Sequence, residues 1–164
     1  LYQCSLKQDK FEWVLQKGTE LGVSRFVPVI GERSIVRPAA ALLGKYARWQ
    51  AIVREAAEQC GRARVPQIAP PCTWQEAAAA AHGLRLLPWE GAPGAPTLYI
   101  TLQENLPDQD STSILIGPEG GITEQEARLA STYGWQIVSL GPRILRAETA
   151  ALAAVALWAG VSSA

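Results

Sequence analysis

Two segments of the sequence are the most informative about the fold of this chain. They are I-L-I-G-P-E-G-G (residues 114–121) and L-G-P-R-I-L-R-A-E-T-A (residues 140–150). The first begins with three apolar residues, which is typical of a strand buried on both faces of a parallel sheet. The second follows Ile137-Val138, and both precede helical patterns. Ligands of open α/β sheets bind where the strands end. The two loops, separated by one strand-helix unit, therefore predict a single ligand site.

Alternating strand and helix patterns extend on both sides of these loops. Paired cap residues, Thr73 with Glu76 and Thr123 with Glu126, have the spacing of capping boxes at helix starts. Residues 97–105 fit either a strand or a short helix, and residues 1–10 lack a clear period. The alternation predicts one α/β domain over residues 1–164 with a mostly parallel sheet. The predicted strands are 25–30, 84–88, 114–116 and 136–140, and the predicted helices are 11–21, about 40–60, 74–81, 123–134 and about 148–159.

The composition of the chain limits its function. With 164 residues, 48% of them hydrophobic, it can bury one substantial core. Its 15 basic and 15 acidic residues argue against a general nucleic-acid coat, which needs a basic excess. No apolar stretch is long enough to span a bilayer, and no signal peptide opens the sequence, so we expect a soluble, cytoplasmic protein. Three cysteines without C-x-x-C spacing and one histidine predict no metal site.

The glycine loops have simpler explanations that must be weighed. The segment from Gly117 to Gly121 fits a strand-to-helix turn that needs glycine for its backbone angles. It lacks the Lys-Ser or Lys-Thr of a P-loop and the spacing of a dinucleotide fingerprint, which disfavours ATP and NAD. In the second loop, Arg146 and Glu148 lie among apolar residues, where charged groups are normally paired or functional. Structural pairing of Arg146 with Glu148 or Glu119 is the alternative to a catalytic role.

Taken together, the two loops resemble those of the SPOUT methyltransferases and, within them, the bacterial 16S ribosomal RNA uridine-N3 methyltransferase family. Two upstream segments support this resemblance, Q-K-G-T-E-L-G-V (16–23) and R-E-A-A-E-Q-C-G-R (54–62). All four segments lie in the expected order, so the resemblance covers nearly the whole chain. It implies a parallel sheet with helices on both faces and a deep C-terminal trefoil knot, an exception to the rule that chains stay unknotted.

The resemblance also carries an expectation about domains. Members of this family have an N-terminal PUA-like, β-barrel RNA-binding domain before the methyltransferase domain. The chain contains no methionine, not even at position 1. We therefore expect residues 1–164 to be the methyltransferase domain, with the PUA-like domain absent from this chain.

The cofactor implied by the resemblance is S-adenosylmethionine, bound in a bent conformation within the knot and without a metal. The loops after Pro88, Ile116 and Leu140 would surround it. Backbone groups of the glycine loops would bind it by hydrogen bonds, and apolar side chains would form its walls. The implied cofactor-binding residues are Leu87, Pro88, Ile116, Gly117, Pro118, Gly120, Gly121, Leu140, Gly141, Ile144, Leu145, Thr149 and Ala150.

The resemblance implies catalytic residues as well. Methyl transfer to a uracil nitrogen requires that the ring lose a proton, because neutral uracil is a poor nucleophile there. We hypothesise that Arg146 stabilises the negative charge that develops on the uracil carbonyl oxygens. Glu119 or Glu148 would orient this arginine or act as the base.

Candidate RNA contacts lie upstream of these loops. Gln59 and Arg62 are three positions apart near the end of the predicted long helix and so share a face, although a solvated helix end is an equal alternative. Lys17, Arg33 and Arg37 are further candidates for phosphate contacts.

The expected partners are a second copy of the chain and 16S ribosomal RNA or the small ribosomal subunit. The alanine-rich helix at 148–159 is too apolar for a solvent-facing helix, so either the core or a partner covers it. Two alternatives stay open: a SPOUT methyltransferase that acts on another RNA such as transfer RNA, and an inactive knotted RNA-binding module.

Overall fold

The computed structural model describes residues 1–7, 9–36, 39–105 and 111–162, without the side chain of Ala39. Within these ranges, strands and helices alternate as the sequence predicts. The strands are β1 Tyr2–Cys4, β2 Arg25–Ile30, β3 Gln67–Ile68, β4 Cys72–Thr73, β5 Leu84–Pro88, β6 Thr112–Ile116 and β7 Gln136–Val138. The helices are α1 Lys10–Glu20, α2 Ala39–Leu43, α3 Tyr46–Gln59, α4 Trp74–Ala80, α5 Leu98–Asn105, α6 Glu124–Thr132 and α7 Ala147–Ser162.

The strands form one sheet in the order β3-β2-β1-β6-β5-β7, with β4 also paired to β2. Every pairing between these strands is parallel, which confirms the predicted parallel α/β class. β5 precedes β6 and β7 in the chain but lies between them. The registers pair Leu86 with Ile114, Pro88 with Val138 and Gln3 with Ile116. The carboxyl ends of β1, β5, β6 and β7 therefore meet at one edge of the sheet.

Side chains of the central strands alternate between two hydrophobic cores. Leu86, Ile114 and Ile116 belong to one core, which also contains residues of α1, α3, α5 and α7. Leu87 and Leu115 belong to the other, which contains residues of α4 and α6. Because successive residues of a strand point to opposite faces, continuous apolar strands of this kind need cover on both sides. The expectation of helices on both faces is confirmed.

Both predicted capping boxes are present. Thr73 and Thr123 each accept a hydrogen bond from the N3 backbone amide, and Glu76 and Glu126 each bond back to the cap amide. Glu126 also accepts a hydrogen bond from the backbone amide of Glu32 at 2.7 Å. The second capping box therefore fixes the loop after β2 next to the start of α6.

Three local expectations need correction or completion. The predicted helix 40–60 is wrong as one element, because the chain turns at Gly44-Lys45 between α2 and α3. Glycine is a poor helix former, which explains a break at this position. The ambiguous residues 97–105 form helix α5, and β1 lies in the segment without a clear period. No helix in the described part of the chain is long and apolar enough to cross a membrane.

Candidate active site

A cavity of about 400 Å³ lies at the sheet edge where β5 and β6 end. It brings together residues from both glycine loops and from the end of β5, although these segments are far apart in the sequence. Lys10 and Glu90, which the sequence did not predict, also line it. The predicted residues that line it are Pro88, Ile116, Gly117, Pro118, Glu119, Gly120, Gly121, Ile144, Leu145, Arg146, Glu148 and Ala150.

The remaining predicted cofactor residues lie around this cavity. Leu140 and Gly141 line a smaller adjoining hollow that shares Pro88 and Ile144 with it. Thr149 lines an open hollow outside the cavity, together with Lys10 and Glu148. Leu87 is fully buried in the core that faces α4 and α6, and its side chain lines neither the cavity nor the two hollows.

Two glycines of the first loop have conformations or contacts that a side chain would disturb. A Cβ atom at Gly117 would lie 2.5 Å from Cγ1 of Ile122, so a larger residue would have to displace the Ile122 side chain. Gly121 has a φ of +78°, in the left-handed region that favours glycine. Its backbone amide donates to the carbonyl of Pro118 at 2.9 Å, which closes the turn. The loop therefore keeps backbone, rather than side chains, at this part of the cavity.

The second loop presents an apolar side chain to solvent. Ile144 is 83% exposed although it lines both the main cavity and the adjoining hollow. Leu145 and Ala150 beside it are half-buried. Apolar walls with a few placed polar groups are typical of small-molecule sites.

Lys10, the first residue of α1, contacts the two acidic residues Glu119 and Glu148 of the cavity. Its ammonium Nζ lies 2.5 Å from Oε1 of Glu119 and 3.4 Å from Oε1 of Glu148. The backbone amide of Lys7 donates to Oε2 of Glu119 at 3.2 Å. Oε2 of Glu148 is buried and has no hydrogen-bond partner. One carboxylate is thus fully bonded, whereas the other retains a free acceptor.

These contacts change the proton affinities of the pair. Burial alone would raise the pKa of Glu119, but the hydrogen bonds from Lys10 and Lys7 and the charges of both lysines lower it overall. The hydrogen bond with Glu119 is the main reason that the pKa of Lys10 is raised. Both partners are therefore charged at neutral pH.

Arg146 lines the cavity with an exposed side chain, and its guanidinium forms no hydrogen bond or ion pair with another described residue. The alternative in which Arg146 pairs with Glu119 or Glu148 is not observed, because Lys10 contacts both carboxylates instead. Sequence reasoning missed Lys10 because strand β1, which brings it to this edge, was not recognised. The guanidinium of Arg146 is left available for a ligand.

The candidate RNA residues are divided between two places. Arg33 lies near the cavity, where its Nη1 donates to the carbonyl of Gly120 at 3.2 Å. Gln59 is exposed at the end of α3, and Lys17 pairs with Glu20 at 2.8 Å. Arg37 lies outside the described residues. Since α1 and α3 return to the amino ends of the parallel strands, Lys17 and Gln59 lie at the opposite edge of the sheet from the cavity.

Arg62 has a structural contact that the sequence did not predict. Its Nη1 donates to the carbonyls of Thr19 and Val23 at 2.7 and 2.8 Å, and its Nη2 donates to that of Gly22 at 3.5 Å. These carbonyls end helix α1, and a cation satisfies such groups well. Arg62 therefore joins the ends of α1 and α3.

Replacement of Arg62 by alanine is expected to lower the free energy of unfolding by about 1–3 kcal/mol, because partly buried carbonyls lose a charged donor. Urea unfolding of Arg62→Ala measures this loss. The matched control is Arg64→Ala, since Arg64 is exposed and should change stability by less than about 0.5 kcal/mol. Equal stabilities of the two variants would contradict the structural role.

No group of three or more His, Cys, Asp or Glu side chains that could hold a metal ion occurs among residues 1–7, 9–36, 39–105 and 111–162. The parallel sheet and the loop-lined cavity define an α/β protein with a ligand site at the carboxyl ends of its strands. Residues 1–159 match the model of the RNA methyltransferase domain family. The chain belongs to this family, which confirms the resemblance to the SPOUT RNA methyltransferases.

Known relatives agree with this assignment. The chain is 42% identical over 154 residues to ribosomal RNA small subunit methyltransferase E of Synechocystis, covering 92% of this chain and 49% of that protein. It is 36% identical to the Bacillus subtilis protein of the same name, covering 91% of this chain and 60% of that protein. The chain thus spans about half to three fifths of the length of these two relatives.

A solved structure shares the fold. It is that of a ribosomal RNA small subunit methyltransferase E from Neisseria gonorrhoeae bound to S-adenosylmethionine. It is 39% identical to this chain with a TM-score of 0.75, and the match covers 94% of this chain and 62% of that one. At this identity the likeness extends beyond the fold to the family.

Proposed function

We propose that this chain is a methyltransferase domain that uses S-adenosylmethionine to methylate N3 of a uridine in 16S ribosomal RNA. The observation that carries the proposal is the convergence of both glycine loops and the end of β5 on one cavity. Membership in the RNA methyltransferase domain family and similarity to the small subunit methyltransferases support the choice of substrate.

The residues present fit the proposed cofactor. A cavity of about 400 Å³ is within the range of small-molecule sites. The exposed Ile144 offers an apolar surface for the adenosine part. The buried, unpartnered Oε2 of Glu148 is an acceptor for a ligand donor. We assign the loops after β5, β6 and β7 to cofactor binding, with backbone groups of Gly117, Gly121, Leu140 and Leu145 as its hydrogen-bond partners.

S-adenosylmethionine would supply an electrophilic methyl group. The protein must position the uracil ring and remove the proton from N3. Glu119 and Glu148 both line the cavity, and either could act as the base. The guanidinium of Arg146 has no partner among the described residues and lines the same cavity, so it can stabilise the charge that develops on the uracil carbonyl oxygens.

We propose that the C-terminal part of the chain forms a deep trefoil knot around this site. β5 lies between the later strands β6 and β7, and α7 then packs against α1, α5 and β6. The last helix therefore returns to the middle of the sheet after the chain has reached its edge. Such a path is compatible with a threaded C-terminal segment.

We also propose a homodimer that uses α1 and α7. These two helices pack on each other, and each exposes a large apolar side chain, Trp13 at 47% and Leu157 at 36%. Only one face of α7, with Ala151, Ala154 and Val155, is buried within the chain. A second copy would cover the rest.

The proposal is tested by calorimetric titration of the protein with S-adenosylmethionine, with ATP and NAD as controls, followed by methyl transfer to 16S ribosomal RNA and to transfer RNA. Saturable binding of S-adenosylmethionine alone and methylation of uridine N3 in the ribosomal RNA are expected. Methylation of transfer RNA instead would show that the substrate is another RNA. Absence of cofactor binding by a folded sample would indicate an inactive RNA-binding module.

Replacement of Ile144 by aspartate is expected to weaken the binding of S-adenosylmethionine at least about tenfold without lowering the melting temperature. The side chain is 83% exposed, so folding gains little from it, whereas a ligand would bury it. Titration calorimetry and thermal unfolding measure the two effects. The control is Ile35→Asp, which changes an exposed isoleucine outside the cavity. Unchanged affinity in Ile144→Asp would remove this residue from the cofactor site.

A further inference from the structure

Lys10 is a charged residue of the cavity that no part of the proposed mechanism has used. It lies at the first position of α1, directly after the segment that follows β1. Its ammonium contacts Glu119 of the loop after β6 and Glu148 of the first turn of α7. One side chain thus connects three separate elements of the chain at the place where the ligand is expected.

The two carboxylates require this cation. Both have an oxygen within 3.4 Å of the same ammonium, and their side chains are only 20% and 14% exposed. Two partly buried carboxylates that share one site repel each other, and one of them normally takes up a proton unless a cation lies between them. The position of Lys10 therefore offsets the repulsion between the two carboxylates.

The contacts also distinguish the two carboxylates. Glu119 has its oxygens bonded by Lys10 and by the backbone amide of Lys7. Glu148 uses only Oε1, and its Oε2 is buried without a partner. A buried, desolvated carboxylate oxygen is costly unless a donor reaches it. A donor of the ligand would satisfy this oxygen.

We infer that Lys10 is a positioning residue of the methyl-transfer site, which holds Glu119 and Glu148 against one ammonium and leaves one oxygen of Glu148 for a donor of the ligand. This inference rests on the proposed function. Other charged groups face Glu119 and Glu148 from each neighbouring element, and they contribute to the electrostatic potential at these carboxylates. These are Lys7 and Asp9 before α1, Arg33 after β2, Glu90 after β5 and Arg146 before α7.

The test is the pH dependence of S-adenosylmethionine affinity in Lys10→Met, measured by calorimetry from about pH 5 to pH 8. We expect at least a tenfold weaker affinity than wild type near neutral pH. The affinity should fall further as the pH is lowered, because Glu119 without the Lys10 ammonium takes up a proton at a higher pH. Wild type should stay nearly constant over the same range, since Lys10 lowers the pKa of Glu119.

Two further variants separate positioning from general stability. Lys10→Arg keeps the positive charge and should restore both the affinity and the flat pH profile. Lys45→Met removes a lysine from the start of α3, which has no side-chain contact with the cavity, and should behave as wild type. If Lys10→Met is poorly folded by thermal unfolding, Lys10→Gln gives the same test, because it removes the charge and keeps a donor.

The outcomes distinguish the two proposals. Wild type that binds S-adenosylmethionine, together with a Lys10→Met variant of equal affinity and equal pH profile, overturns the role of Lys10 and leaves the proposed function intact. A weaker Lys10→Met variant without a changed pH profile also overturns it, since a merely structural effect would look the same. Failure of wild type to bind overturns the proposed function and, with it, the inference.

Discussion

Replacement of Arg146 by alanine is expected to reduce the rate of methyl transfer about 10²- to 10³-fold, the usual loss when one donor to a developing oxyanion is removed. Arg146 lines the cavity, is exposed, and has no partner within the described protein. Its charge is therefore available to the substrate and contributes nothing visible to folding. Cofactor affinity and melting temperature should both stay close to wild type.

The measurement is single-turnover transfer of a labelled methyl group to 16S ribosomal RNA, with protein in excess so that weak RNA binding does not limit the rate. Arg128→Ala is the matched control, because Arg128 lies on α6 and forms only an exposed pair with Glu124. Arg146→Lys should recover part of the rate, since lysine keeps the charge but not the planar pair of donors. An Arg146→Ala variant with an unchanged rate would remove this residue from the mechanism.

The sequence predicted the central part of the fold well, for physical reasons that are visible in the structure. Leu86 and Leu87 face opposite cores, as do Ile114 and Leu115, so consecutive positions of these strands had to be apolar. The capping boxes at Thr73 and Thr123 are local contacts that depend only on nearby residues. Such contacts can be predicted from the sequence because they need no distant partner.

The parts that were missed depend on distant contacts. β1 has only three residues, and its middle residue Gln3 is polar but fully buried between β2 and β6. No alternation can show in so short a strand. Lys10 was missed for the same reason, because its place beside Glu119 follows from the pairing of β1 with β6. The sequence suggested Arg146 as the partner of the acidic residues, whereas the topology supplies Lys10.

The glycine loops were neither predicted from local patterns alone nor missed. Their residues were named from a family resemblance, and the structure places Gly117, Gly121 and Ile144 around one cavity. Position alone does not test their roles toward a cofactor, which stay predictions. Leu87 shows the difference, since it ends up buried in a core while its neighbour Pro88 lines the cavity.

Replacement of Trp49 by alanine is expected to lower the free energy of unfolding by about 3–5 kcal/mol, the usual cost of removing a large buried aromatic side chain. Trp49 is 1% exposed, and its ring lies 4.5 Å from that of Phe11, measured between centroids. Phe11 directly follows Lys10 in α1. The same contact that stabilises the fold therefore also fixes the helix that brings Lys10 to the cavity.

Trp49→Phe separates the apolar ring from the indole N–H. The Nε1 of Trp49 is buried without a hydrogen-bond partner, so its removal relieves an unsatisfied donor while most of the ring contact with Phe11 remains. We expect a loss below about 1.5 kcal/mol in Trp49→Phe, measured by urea unfolding beside Trp49→Ala. Equal losses would contradict this, because they would assign the stability to the indole rather than to ring packing. Where Trp49→Ala remains folded, weaker S-adenosylmethionine binding should accompany it, since the core under α1 and the site at its first residue depend on the same helix.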